Sequence, residues 1–185
     1  MDPMHSEVQF KARHLMISTV TGHFRKFNLD VETEDNDFTK ASKIIFTADI
    51  MSIDTNNPQR DTHLKSADFF SADEHRELKF VGKNFEKQDD HYLLHGDLTI
   101  RGITKSITVK VHFNGIAVDA YGQTKAGFEV EGKLKRKEFG LKWDAVTEAG
   151  HIVVSDEIKF HCEIQLINKG NVDQPEQKKE EHAVA

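Results

Sequence analysis

The chain has 185 residues, with 31 acidic and 25 basic side chains interspersed along it for a formal charge of −6. That balance leaves no electropositive surface for nucleic acid, no apolar run is long enough to cross a membrane as a helix, and the length suits one domain with a sizeable core. A lone Cys162 excludes an intramolecular disulfide and fits a reducing cytosol, so a cytoplasmic location is expected, or a periplasmic one if a leader precedes residue 1.

From residue 6 to 14, Val8, Phe10 and Ala12 alternate with Glu7, Gln9, Lys11 and Arg13, the period-2 pattern of a strand with one buried face. Leu15-Met16-Ile17-Ser18 breaks the alternation and predicts a turn of helix. A second strand follows over 22–34 through Phe27, Leu29 and Val31 and ends at the acidic turn near Asp35-Asn36-Asp37. The third, 41–54, is apolar in part on both faces, which predicts that one face meets another chain or a helix. Asn57 can then cap a short helix that has Pro58 at its first position and reaches about Lys65. Within it, Asp61 and Lys65 stand four apart and can pair.

Beyond the helix, 77–87 and 91–101 flank Gln88-Asp89-Asp90 as a hairpin. Three more alternating runs carry Ile107 to Phe113, Ala126 to Leu134, and Ile158 to Leu166. Eight strands at regular spacing, with brief helices and no βαβ unit, predict an all-β, antiparallel, up-and-down barrel, one end closed by the 58–66 helix. Residues 1–168 make the barrel domain. Polar, aperiodic residues 169–185 read as a disordered tail.

A barrel of this size either fills with side chains or holds one small ligand. The small interior residues Ala12, Gly96, Ala126 and Gly132 favour the second. Parity assigns the channel wall to Val8, Phe10, Ala12, Phe46 and Phe80 in the first half of the chain, and to Leu98, Ile100, Phe128, Val130 and Phe160 in the second. Polar groups able to meet a head group gather at Arg60, Asp61 and His63. Phe69, Phe70, Phe139 and Trp143, the aromatics outside regular strands, are expected to collar the entrance.

Several of these stretches resemble the YceI family: the 60–70 helix segment, Asp2-Pro3-x-His5-Ser6-x-Val8-x-Phe10, and His14-Leu15-Met16-x-Ser18-x-Val20-x-Gly22-x-Phe24. Gly96-Asp97-Leu98-Thr99-Ile100-Arg101-Gly102, Ala126-Gly127-Phe128 and Arg136-x-x-Phe139-Gly140 agree in order, so the resemblance spans residues 2 to about 167. It implies a lipocalin-like bacterial barrel that binds a polyisoprenoid, isoprenoid quinone or fatty-acid derivative along its axis, commonly as a homodimer, with bound lipid and no cofactor.

Asp61 and His63 invite an acid–base reading, yet residues two apart on a helix do not share a face. Holding the plug to the barrel rim is the weightier role, ahead of head-group contact and catalysis. Arg60 can serve as a bidentate donor to phosphate or carbonyl, or as a salt-bridge partner. Eleven histidines are scattered singly without ligand spacing, so no metal site is expected. The expected function is therefore non-enzymatic carriage or storage of a long-chain amphiphile. An enzyme using Asp61 and His63, and a homodimeric module with a filled barrel, are the alternatives.

Overall fold

The structure, a computed structural model, describes residues 1–34, 36–146, 148 and 153–170. The strands are β1 (Glu7–His14), β2 (Ser18–Phe24), β3 (Phe27–Glu32), β4 (Lys43–Asp49), β5 (Ile53–Asp54), β6 (Glu77–Lys87), β7 (Tyr92–Ile100), β8 (Ile103–Val118), β9 (Thr124–Lys135) and β10 (Val154–Ile167). The helix α1 (Pro58–Lys65) follows β5. Every pairing is antiparallel, in the order β3-β4-β6-β7-β8-β9-β10-β1-β2-β5.

Ten segments replace the eight expected strands because two of those strands bend. Residues 22–34 break at Arg25-Lys26 into the end of β2 and β3, and residues 41–54 break at the 3-10 turn Ile50–Ser52 into β4 and β5. The two bends face each other: Arg25 N–H donates to Ser52 O at 3.1 Å, and Asp49 N–H donates to Lys26 O at 2.9 Å. The β2–β5 and β3–β4 pairings are thus two halves of one bent ladder, through which the sheet curls back on itself into a barrel. Among the described residues, the outer edges of β3 and β5 carry no ladder partner.

The same bend explains the apolarity of 41–54 on both faces. Ile44, Phe46 and Ala48 point inward on β4, and the 3-10 turn then resets the parity so that Ile50 and Ile53, 1% and 3% exposed, are buried too. That stretch is interior to the sheet, paired with β3 on one side and β6 on the other.

The turn of helix expected at 15–18 is instead a hairpin turn between β1 and β2, with Leu15 and Met16 at φ of 50° and 59°. No Gly, Asn or Asp announces it in the sequence. Leu15 N–H donates to Val153 O and the Arg13 guanidinium donates to Met16 O, which holds the left-handed pair in place. The hairpin at 88–90 forms as expected. No described helix is long and apolar enough to cross a membrane. The tail reading falls mostly on residues 171–185, outside the described residues.

Candidate functional site

Inward-facing side chains of nine strands surround a cavity of about 270 Å³ whose exposed wall is entirely apolar. A repeated pairing keeps it open. Phe10 lies opposite Gly22, Phe160 opposite Gly132, and Phe80 against Gly96, and a methyl added at any of these glycines would overlap the ring beside it. Each phenyl ring lies down on its neighbouring strand in the space a side chain would fill, so the barrel axis stays clear.

One end of the cavity is closed by α1 and the turn after it, through Leu64, Phe69 and Phe70. The Asn57 side chain accepts from Arg60 N–H at 3.0 Å with Pro58 at N1, the expected cap. The helix is then fastened through Thr55, which is 4% exposed. Asp61 accepts from the Thr55 N–H and hydroxyl at 2.9 and 2.6 Å, while Arg60 donates to Thr55 Oγ1 and O, both at 2.7 Å. Asp61 therefore reaches back to Thr55, the residue after β5, instead of forward to Lys65.

His63 meets Asp68 at 3.0 Å and sits edge-on to Phe69 and Trp143, with ring centroids 5.1 and 5.0 Å away. Asp61 and His63 thus have different partners. Arg101 donates from Nη1 to Phe69 O and Gly140 O, tying plug and rim together.

Arg136, only 3% exposed, locks the rim itself. Its guanidinium donates to the carbonyls of Leu141, Trp143, Val154 and Ser155 and to Asp144 Oδ1. Lys137 first, and Arg136 with it, hold the Asp144 carboxyl below the usual carboxylate range. Phe139, 1% exposed, is packed beneath this rim.

At the other end, a 3-10 turn at Phe38–Lys40, capped by Asp37, carries Phe38 over the mouth. Its ring centroid lies 4.8 Å from that of Phe128 and 5.8 Å from that of Phe113.

Of the residues assigned to the channel from sequence, Val8, Phe10, Ala12, Phe46, Phe69, Phe70, Phe80, Leu98, Ile100, Phe128, Val130 and Phe160 line the cavity. Arg60, Asp61, His63, Phe139 and Trp143 stand outside its lining, in the contacts just described. Phe24, Leu64, Phe85, Phe38 and Arg136 also line it and were not singled out. Phe24 shares the parity of Gly22 and was legible on that ground; Phe38, inside a polar turn, was not. Arg136 is the one charged residue of the lining among the described residues, and its guanidinium is taken up by four carbonyls and the Asp144 carboxylate. Burial pushes the Cys162 thiol up to about 12, so it is a protonated, inert part of the wall. Such a lumen can recognise length and shape, and among the described residues its lining offers no free acid, base or nucleophile.

Residues 1–166 match the profile of the YceI-like domain family. UPF0312 proteins of Staphylococcus epidermidis and Staphylococcus aureus are each 36% identical over 168 residues, covering 89% of this chain and 94% of theirs. A Campylobacter jejuni YceI protein aligns with TM-score 0.73 at 31% identity, over 85% of this chain and 90% of that one. BcnA of Burkholderia cenocepacia (TM-score 0.76, 20% identity, 89% and 98% coverage) shares the fold. So does a polyisoprenoid binding domain from Saccharophagus degradans (TM-score 0.65, 12% identity, 86% and 92% coverage).

Proposed function

The chain belongs to the YceI-like domain family, and on that premise we propose that it is a non-enzymatic carrier or store for a long-chain amphiphile: a polyisoprenoid, an isoprenoid quinone or a fatty-acid derivative. The lumen, whose exposed wall is apolar, carries this reading. Burying ten methylenes of a tail contributes a gross ~8 kcal/mol, from which lost ligand freedom subtracts. At about 270 Å³ the cavity lies just under the ~300–1,000 Å³ usual for ligand sites. A long tail therefore fills it completely and displaces Phe38 at the open mouth. The relative from Saccharophagus degradans is described as polyisoprenoid binding, which points to the same ligand class.

Tail recognition sits in the lumen, and the plug groups Arg60, Asp61 and His63 hold the helix. The head group then lies at the mouth under Phe38 or in solvent. Titration with quinones of increasing prenyl number, read as quenching of Trp143 beside the lining residue Phe69, tests this reading. Affinity should rise with tail length and depend little on the head. Failure of every long-chain quinone, polyprenol and fatty acid to bind would remove its basis.

A further inference from the structure

On the outer face of the barrel, three carboxylates surround one imidazole. Glu131 pairs across the β9–β10 ladder with His161, and Glu129 with Glu163, so all four project from the same side of two hydrogen-bonded strands. His161 Nδ1 stands 3.6 Å from Glu129 Oε1 and 3.6 Å from Glu131 Oε1, and the three ligand atoms lie within 4.8 Å of one another.

A separation of 3.6 Å lies beyond hydrogen-bond range, which is usually ~2.7–3.2 Å and ends at about 3.5 Å for the weakest bonds. It is close to the edge of a tetrahedron around a metal with bonds of ~2.1 Å, which is ~3.4 Å. His161 Nε2 faces Glu163 Oε1 at 3.4 Å. A proton held there leaves Nδ1 with its lone pair aimed between Glu129 and Glu131, the carboxylate–histidine arrangement that orients a metal-binding imidazole.

Charge points the same way. Several other outward carboxylates have lysine partners, Glu32 with Lys43, Asp97 with Lys83 and Glu157 with Lys133, while Glu7 and Glu86 each meet one histidine, His23 and His95. Among the described residues, Glu129, Glu131 and Glu163 make ion pairs with His161 alone. Lys110 lies opposite Glu131 on β8 without coming within ion-pair distance.

We propose that Glu129, Glu131 and His161 bind a zinc ion, with Glu163 positioning the imidazole and water completing four coordination. The mixed nitrogen and oxygen donors select a borderline transition metal over Mg²⁺ or Ca²⁺. The ion clips β9 to β10 on the outside of the wall whose inner side carries Phe128, Val130 and Cys162. Sequence spacing hid the site because its ligands converge across a ladder, thirty residues apart in the chain from Glu131 to His161.

The test titrates the full chain, freed of metal with EDTA, with Zn²⁺ and separately with Co²⁺ at neutral pH. One Zn²⁺ should bind per chain, unaffected by excess Mg²⁺, and Co²⁺ should show the intense visible bands of a four-coordinate site. His161→Ala and Glu131→Gln should abolish binding, Glu163→Gln should weaken it about 10–100-fold, and His112→Ala, on β8 opposite Glu129 but outside the converging ligand set, should leave it unchanged. All four changes lie on the outer face, and their urea unfolding in EDTA should match the parent's. Binding no tighter than millimolar, binding that survives His161→Ala and Glu131→Gln, or binding lost in His112→Ala would each overturn the proposal.

Discussion

The width of the lumen is set residue by residue, by phenyl rings that lie down on glycines. At Gly132 any side chain drives the Phe160 ring toward the axis. Gly132→Val should cost ~1–3 kcal/mol by urea unfolding and weaken long-tailed ligands in direct titration. Unchanged binding would show that the ring position does not control the channel. Asp2 acts on stability instead. Its N–H donates to Gln165 O and its carboxylate meets Lys125 Nζ at 2.8 Å and His5 at 3.0 Å, strapping the chain start to β9 and β10. The Lys125 ammonium first, then the His5 ring, hold that carboxyl well below the usual carboxylate range, against the opposing effect of burial. A lowered value means the strap stabilises fully above the ordinary carboxylate pKa of ~3.9 and fades as pH falls below it. The gap in urea midpoint between the parent and Asp2→Asn should be present at about pH 5 and shrink toward pH 2. A gap independent of pH would assign the difference to something other than this charge.

Among the elements, α1 separates structural from recognition chemistry. Its polar side chains were legible as a cluster, but their direction was not, because sequence cannot show that Asp61 and Arg60 both turn back onto buried Thr55. Asp61→Ala leaves the Thr55 N–H without its acceptor and should cost ~1–3 kcal/mol, while ratios of affinity among head groups at fixed tail stay as in the parent. A changed ratio would return the head group to the plug. The strands show the complementary limit. Alternation located β1, β6, β7 and β9 within a residue or two, and β10 except for its first four residues, since a one-face-buried strand leaves its period in the sequence. It missed the bends at 25–26 and 50–52, which preserve apolarity while switching face, and the hairpin at 15–17, whose left-handed residues are Leu and Met. Phe38 escaped for a related reason: it acts from a 3-10 turn in an acidic loop, where no periodicity exists to read.

At the scale of the whole molecule, the bent pairs close ten segments into a barrel, and the barrel holds an apolar lumen instead of a filled core. A filled core loses ~1–3 kcal/mol when a large side chain is forced in. Ala12, on β1 and facing the cavity, has open space beside it, so Ala12→Phe should unfold at nearly the parent's urea midpoint while excluding ligand. The most direct test combines this variant with extraction: both proteins are purified without detergent, extracted with organic solvent, and the extracts compared by mass spectrometry. The account predicts a long-chain isoprenoid or acyl lipid in near-stoichiometric amount from the parent and its absence from Ala12→Phe. No lipid from the parent, or equal lipid from both, would contradict it.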